Sequence, residues 1–184
     1  MEKTVFQVRP LALKELSFDF FNSFVRTQIV QNVWRWQNGK WAIVPAPFID
    51  DWSAGDRRLL VKNLRSCLLE GGAVFGAWHQ GHLVAFGAVS AGLIGDQKQY
   101  ADLLELHTDQ RYRRMGLGRA IFERIAAWAA ERGAQKLYIS AHSAQESQAF
   151  YRGIGCVDAQ WICRLHVEQE PYDCQLEYVL PKDI

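Results

Sequence analysis

The sequence predicts a mixed α/β (α+β) fold, and two patterns carry this prediction. In the N-terminal half, apolar and polar residues alternate in short runs that are joined by Asn-Gly or Gln-Gly pairs, as is typical of β-hairpins. In the centre, a strand pattern leads through a glycine-containing turn into an amphipathic helix and then into another strand. The 184 residues contain no repeat and no linker, so we expect a single domain over residues 1–184.

The first elements are predicted from alternation, helical spacing and one turn pair. Residues 4–9 alternate as a short strand that ends at Pro10, and residues 14–25 carry apolar side chains at helical spacing. Two alternating runs over residues 33–44 then surround Asn38-Gly39. This pair favours a two-residue hairpin turn because both positions need positive φ.

The predicted hairpin is rich in tryptophan. A two-residue turn places Trp36 opposite Trp41 and Trp34 opposite Ile43, so that three indoles share one face. With Trp52, four of the seven tryptophans fall between positions 34 and 52. Core filling is one explanation for such crowding, because large rings bury much apolar surface.

The later elements follow from caps and apolar stripes. Ser53 is predicted to cap a helix that runs to about Glu70 and stops at Gly71-Gly72. A second helix follows an arginine-rich turn and ends at Gly133. The remaining predicted elements are a helix over residues 144–152 and strands over residues 73–79, 83–89, 100–108, 136–140, 156–167 and 174–180.

Composition narrows the classes of partner. With 21 Lys and Arg against 20 Asp and Glu, the net charge of +1 disfavours an extended nucleic-acid or anionic membrane partner. The first residues lack the pattern of a signal peptide, and the longest apolar stretch, residues 83–94, is too short to span a bilayer. We therefore expect a cytoplasmic protein that binds neither nucleic acid nor a membrane.

The cysteines and histidines indicate no metal or disulfide site. The four cysteines show no paired spacing, and Cys67 lies at helical spacing among leucines, as a core residue does. His79 and His82 flank a turn, but no second pair of ligands lies nearby in the sequence. We expect no metal.

The turn after the strand at residues 100–108 has the features of an anion site. Residues 113–118 read Arg-Arg-Met-Gly-Leu-Gly and open a helix, whose first N–H groups are unpaired at the positive end of the helix dipole. Gly116 and Gly118 would let a phosphate approach the backbone. The turn concentrates positive charge in four arginines, Arg111, Arg113, Arg114 and Arg119. The alternative is a solvated basic turn whose glycines serve only helix entry.

Two strings resemble a known family. Residues 113–118 match motif A of the GNAT acyl-CoA N-acyltransferase superfamily, Gln/Arg-x-x-Gly-x-Gly/Ala, position for position. Residues 149–156, Ala-Phe-Tyr-Arg-Gly-Ile-Gly-Cys, resemble its motif B. The chain departs from the family at residues 143–145, where Ser-Ala-Gln replaces a frequent Asn, and at Cys156, where Phe is commoner. The resemblance covers residues 100–160.

The resemblance implies both a fold and an activity. The fold would be a GNAT-like central mixed, mostly antiparallel sheet with helices on both faces. The activity would be N-acetylation, in which a primary amine of a small molecule or peptide attacks acetyl-CoA directly in a ternary complex. An alternative is an idle acyl-CoA-binding or sensing module, because the motif B Asn is missing. A homodimer is an open alternative to a monomer.

In the family the fourth strand diverges from the fifth, and the CoA arm lies in the gap. Carried over, the pantetheine and the thioester would lie along the end of the strand at residues 100–108, and the pyrophosphate would rest on the following turn. The expected acetyl-CoA-binding residues are Leu106, His107, Thr108, Arg113, Arg114, Met115, Gly116, Leu117, Gly118 and Arg119.

Two side chains are candidates for proton transfer. Tyr151 matches the tyrosine that many family members use as a general acid toward the CoA thiolate; the alternative is a buried ring whose hydroxyl caps a backbone group. Glu105 is the candidate general base, and its alternative is a solvated or ion-paired carboxylate. Strand alternation places Leu103, Glu105 and His107 on one face, and the His107 imidazole is suited to proton transfer near neutral pH.

The region between the first strand and the second helix usually shapes the acceptor pocket in this family. Here it contains the tryptophan hairpin, Asp50 and Asp51, which would hold a cationic amine by charge and by cation–π contact. The alternative is an aromatic face packed on the core, with both aspartates capping the following helix.

Overall fold

The computed structural model describes residues 5–181. The elements, in chain order, are β1 (Gln7–Pro10), β2 (Gln28–Gln37), β3 (Lys40–Asp50), α1 (Ala54–Leu69), β4 (Ala73–His79), β5 (His82–Ile94), β6 (Tyr100–Thr108), α2 (Leu117–Glu131), β7 (Lys136–Ala141), α3 (Gln145–Gly153), β8 (Val157–Asp158), α4 (Arg164–Gln169) and β9 (Cys174–Val179), with 3-10 turns at Leu13–Glu15 and Gln110–Tyr112.

A seven-stranded sheet forms the centre of the molecule, in the order β1-β4-β5-β6-β7-β9-β8. Its neighbouring strands are antiparallel except for β6 and β7, which are parallel because α2 connects them by a crossover. The structure confirms the predicted mixed α/β fold with a mostly antiparallel sheet and helices on both faces.

Each face of the sheet is covered by one long helix. The stripe of α2 that includes Ile121 and Ile125 packs on one face, and the stripe of α1 that includes Leu60 and Leu64 packs on the other. Gly87 on β5 lets α2 lie close, because a Cβ there would stand 2.8 Å from both Ile121 and Ile125. Burial of each such side chain stabilises the fold by about 1.5–3 kcal/mol.

The two parallel strands separate after a short pairing. β6 pairs with β7 only over Tyr100–Leu103, opposite Lys136–Ile139. Beyond that point β6 stays with β5, whereas β7 stays with β9. A gap therefore opens between the C-terminal ends of β6 and β7.

The tryptophan hairpin has the predicted register. Trp36 pairs with Trp41 and Trp34 with Ile43, around Asn38 and Gly39 with φ of 51° and 77°. The hairpin is longer than predicted and forms a separate two-stranded sheet, β2–β3. It attaches to the segment between β7 and α3, where the Trp34 N–H donates to the Ser143 carbonyl at 2.7 Å.

The predicted helix over residues 14–25 is wrong. The segment forms the 3-10 turn Leu13–Glu15 and further turns closed by bonds such as Phe20 N–H to the Ser17 carbonyl, although Phe21 and Phe24 are buried as the stripe required. A side chain of α1 bonds to backbone carbonyls of this segment instead, since Arg65 Nη1 donates to the Leu13 and Leu16 carbonyls at 3.2 and 3.0 Å.

The predicted strand over residues 156–167 is also wrong for most of its length. It is reduced to β8, and the chain then leaves the sheet and forms α4. Its backbone groups bond to side chains instead of to a strand: the Gln160 N–H donates to Glu177 and the Cys163 N–H donates to the Tyr138 hydroxyl. The other predicted elements are present with shifted ends, and residue 4 of the predicted first strand lies outside the described residues.

Cys67 is buried, as predicted, and all four cysteines are free thiols. Within residues 5–181, no group of three or more His, Cys, Asp or Glu side chains is placed to hold a metal ion. Over the same residues, no helix is long and apolar enough to cross a bilayer.

Candidate active site

The gap between β6 and β7 gathers most of the residues that the sequence singled out. Glu105 to Thr108 lie on β6 beyond its pairing with β7, and the turn that follows leads into the N-terminus of α2 at one end of the gap. Tyr151 on α3 approaches from the side of β7, because α3 follows β7 directly. The fold thus places the two matched motifs at one opening in the sheet.

The N-terminus of α2 is built to accept an anion. Gly116 is the N-cap with a φ of 81°, and no side chain caps the helix. Arg114 also has a left-handed φ, 67°. Uncapped N–H groups and the helix dipole both favour negative charge at this position.

Gly118 brings α2, α3 and β6 into contact. A Cβ at this position would lie 3.2 Å from the Phe150 ring and 3.6 Å from the Thr108 hydroxyl oxygen. The Leu117 side chain is buried in the core, so this residue has only its backbone to offer a ligand, whereas Met115 is 46% exposed. The motif therefore combines close packing with an open backbone.

The four arginines of the turn do not act as one charged cluster. Arg111 forms two bonds with the fully buried Asp109, Nε–Oδ1 at 2.9 Å and Nη2–Oδ2 at 2.7 Å, and also donates to the Ser23 carbonyl. Arg113 donates to the Thr27 carbonyl at 2.9 Å. The first two arginines thus fasten the turn to the segment at residues 23–27, which the sequence does not reveal.

The other two arginines stay near the gap. Arg114 is exposed and makes no hydrogen bond or ion pair with residues 5–181. Arg113, in contrast, lies where burial and the neighbouring Arg26 lower its pKa. Arg119 makes a long contact of 3.5 Å with the Gly153 carbonyl. Arg114 is therefore the guanidinium with most freedom to meet a ligand.

Glu105 and His107 form a pair on β6. Their Oε2 and Nε2 atoms are 2.7 Å apart, and the imidazole packs against Trp52 with ring centroids 4.8 Å apart. Both residues lie on one face of the sheet, as predicted, and this is the face covered by α1. Leu103 does not share their face, because Leu104 forms a bulge opposite β5 and shifts the alternation by one residue.

Tyr151 is half-buried, and its hydroxyl makes no hydrogen bond with the described residues 5–181. Burial raises the pKa of this phenol, and the carboxylates of Glu105 and Asp173 raise it further. The hydroxyl therefore stays protonated at neutral pH and interacts electrostatically with carboxylates from two separate segments of the chain.

Asp173 is a residue that sequence reasoning missed. It immediately precedes β9 and accepts a hydrogen bond from Ser140 Oγ on β7 at 3.2 Å. Burial raises the pKa of its carboxyl to about 6. No motif marks this position in the sequence, because only the pairing of β7 with β9 brings it to the gap.

The tryptophans of the hairpin form neither a single core-packed face nor a single face toward the acceptor. Trp34 and Trp41 pack against the core, Trp36 is 60% exposed, and Trp52, outside the hairpin, is the indole that touches the site. The prediction that Asp50 and Asp51 cap α1 is wrong. Ser53 caps this helix together with Asp56, because their side chains bond reciprocally to each other's backbone N–H.

The two aspartates are used elsewhere. Asp50 forms an ion pair with Arg26 and lies 3.8 Å from His142 Nε2. Asp51 accepts from the backbone N–H of Trp52 at 2.8 Å. Burial lowers the pKa of His142, whose Nδ1 accepts from the Ala144 N–H, so this imidazole is neutral near pH 7.

The comparisons agree with this geometry. Residues 31–156 match the model of the Acetyltransferase (GNAT) family. No curated protein sequence matches the chain.

Several solved structures share the fold. A nourseothricin acetyltransferase aligns with a TM-score of 0.71 at 16% identity, over 96% of this chain and 99% of that one. A structure described as a putative streptothricin acetyltransferase from Bacillus anthracis str. Ames, in complex with acetyl coenzyme A, aligns with a TM-score of 0.67 at 14% identity, over 96% and 98%. The ribosomal-protein-S18-alanine N-acetyltransferase of Escherichia coli aligns with a TM-score of 0.56 at 17% identity, over 98% and 99%.

Proposed function

Since this chain belongs to the GNAT family of acetyltransferases, we propose that it transfers the acetyl group of acetyl-CoA to a primary amine of a small molecule or peptide. The amine attacks the thioester directly in a ternary complex, and much of the rate comes from holding the two reactants together. The proposal includes a single catalytic domain over residues 1–184 and a cytoplasmic location, both inferred from the sequence.

One observation carries this proposal: the opening between β6 and β7 has an uncapped helix N-terminus at one end. In the proposed complex, the pyrophosphate binds the backbone N–H groups of residues 114–119 beside Arg114. The pantetheine arm lies along Leu106, His107 and Thr108, so that a backbone N–H of β6 stabilises the negative charge that develops on the thioester oxygen.

The proposed proton transfers use the groups around the gap. An ammonium group must lose a proton before it attacks, and Glu105 accepts that proton with His107 bonded to it at 2.7 Å. The new C–N bond forms as the C–S bond breaks, and Tyr151 protonates the departing thiolate. The raised pKa of Tyr151 fits this role, since the phenol is protonated beforehand. A second nitrogen-bound proton then leaves and restores Tyr151.

The first experiment measures binding. Acetyl-CoA at about a hundredfold excess over its Kd stabilises the folded state by about 2.7 kcal/mol, which raises the Tm by about 5–10 °C for a chain of this size. Desulfo-CoA, which retains the pyrophosphate, serves as a matched ligand. No shift with either ligand would refute CoA binding.

The second experiment separates an enzyme from a binding module. Release of the CoA thiol is measured with saturating acetyl-CoA and a panel of primary amines. Turnover supports the transferase, whereas a thermal shift without turnover on any amine favours the idle acyl-CoA-binding module. One structural feature supports the binding module. At the start of α3, where the family motif has its Asn, Ala144 forms a β-bridge with β2.

A further inference from the structure

Asp173 lies at the gap but has no role in the reaction proposed so far. It accepts a hydrogen bond at 3.2 Å from Ser140 Oγ, one residue beyond the last β7 residue that pairs with β6. The Asp173 and Glu105 carboxylates both raise the pKa of the Tyr151 phenol. The gap is therefore flanked by carboxylates from two separate segments.

The other carboxylates around the gap already have partners. Asp50 is paired with Arg26, and Glu105 is bonded to His107. Asp173 forms no ion pair within residues 5–181, and His166, the imidazole that acts on its pKa, is bonded to Asp102 at 2.7 Å. A half-buried carboxylate without a cation is electrostatically incomplete, since burial penalises an uncompensated charge.

The strand order sets the separation between Glu105 and Asp173. Glu105 is on β6 and Asp173 precedes β9, with β7 between them. Two strand spacings amount to about 10 Å between backbones, and β6 also diverges from β7. On segments this far apart, each carboxylate can take an ammonium group of its own, with His107 and Ser140 holding the side chains in place.

We propose that Asp173 binds a second ammonium group of the acceptor, so that the preferred acceptors are aliphatic di- or polyamines. This inference rests on the proposed function: the reacting amine lies beside Glu105 and Tyr151, and the distal ammonium group lies beside Asp173. The role of Asp173 is to determine specificity and to position the acceptor; it takes no proton from the reacting nitrogen.

The titration of Asp173 gives the proposal a pH signature. Burial and, less strongly, Glu170 raise the pKa of this carboxyl to about 6, although Ser140 and His166 act to lower it. Tyr151 is the other titratable group with which it interacts electrostatically. The carboxylate is charged above pH 6 and neutral below it, so the preference for diamines should disappear as the pH falls through 6.

The test compares matched acceptors. With saturating acetyl-CoA, putrescine and cadaverine are compared with butylamine and pentylamine. We expect the diamines to have a kcat/KM about tenfold higher than the monoamines, as for one charge-assisted contact. Asp173→Asn should raise the KM of the diamines about tenfold, with kcat and both monoamine constants changed by less than about twofold.

The control is Glu168→Gln, which removes one negative charge from an exposed position on α4. We expect Asp173→Asn to fold with an equal or higher Tm, because it removes a carboxyl whose raised pKa costs stability at neutral pH. Equal kcat/KM for diamines and monoamines, or an equal loss for both in Asp173→Asn, would overturn the proposal.

Calorimetric titration of putrescine into the CoA-saturated protein tests the same claim without turnover. Binding that is weakened by Asp173→Asn supports it, even for a protein that acetylates no amine. Absence of putrescine binding at millimolar concentration refutes the role of Asp173, whereas absence of turnover alone refutes only the proposed transferase.

Discussion

At the scale of single residues, Tyr151 carries the proposed leaving-group step. Burial and two nearby carboxylates raise the pKa of its phenol, which keeps it protonated and able to donate. We expect Tyr151→Phe to lower kcat about a hundredfold and to leave the Kd of acetyl-CoA within about twofold, because the ring and its packing remain. Single-turnover kinetics and calorimetry measure the two quantities.

Tyr178→Phe is the matched control for this substitution. Tyr178 is half-buried on β9, where its ring packs on Phe122 with centroids 5.0 Å apart, away from the gap. We expect its kcat to be unchanged. A kcat for Tyr151→Phe equal to that of the control would exclude the phenol as the general acid.

The Glu105–His107 pair can be tested as a unit. Their atoms are 2.7 Å apart on one face of β6, so removal of either partner should disable the same proton transfer. We expect Glu105→Gln and His107→Gln each to lower kcat about a hundredfold, and the double variant to lose no more than about threefold beyond either. The steady-state rates of the three variants with one amine measure this coupling.

Additive losses in the double variant would mean that the two side chains act separately. Glu123→Gln is a suitable control, because it changes an exposed carboxylate on α2. Sequence reasoning placed Glu105 and His107 together because a period of two connects them along the strand. It placed Leu103 on the wrong face of β6, because the bulge at Leu104 depends on the pairing with β5.

At the scale of elements, the turn before α2 separates two arginines that the sequence treats alike. Arg114 is exposed and makes no bond with the rest of residues 5–181, whereas Arg111 is bonded to the buried Asp109. We expect Arg114→Ala to weaken acetyl-CoA binding about fivefold to tenfold with an unchanged Tm. Calorimetry and thermal unfolding measure these quantities.

Arg111→Ala should have the opposite profile. It leaves the Asp109 carboxylate buried without its cation, so we expect a loss of about 2 kcal/mol in the free energy of unfolding. Burial raises the pKa of Asp109, but its bonds to Arg111 and to backbone N–H groups outweigh this and hold it below the usual value. The stabilisation by Asp109 is thus present at neutral pH and lost in acid. In Arg111→Ala, the free energy of unfolding should therefore fall less steeply as the pH is lowered. Equal effects of both variants on the Tm would contradict this division.

The elements that the sequence misassigned share one cause. Residues 14–25 have a helical stripe, and residues 156–167 have a strand-like pattern, yet both segments leave regular structure. In each segment, side chains bond to backbone groups that a helix or strand would have paired: Arg65 donates to the Leu16 carbonyl, and Glu177 accepts from the Gln160 N–H. Apolar periodicity reports which side chains are buried, but it does not report which partner satisfies the backbone.

At the scale of the whole molecule, the proposed ligand bridges two parts of the sheet that diverge. Acetyl-CoA at about a hundredfold excess over its Kd should slow amide exchange by up to about a hundredfold in residues 104–108 and 114–119. The hairpin turn at residues 36–41 should exchange at an unchanged rate, because it lies outside the gap. Hydrogen-exchange mass spectrometry measures both segments, and a uniform change across the chain would contradict binding in the gap.

The sequence by itself determined the fold class, the register of the tryptophan hairpin and the two motifs that indicate the family. All of these depend on local spacing, which turn chemistry and side-chain periodicity encode directly. Only the tertiary structure decided that Arg111 anchors the turn, that Leu104 bulges and that Asp173 is bonded to Ser140 beside the gap. The physical reason is that the Arg111–Ser23 and Asp173–Ser140 contacts join segments far apart in the chain, and that the bulge depends on the pairing of β6 with β5.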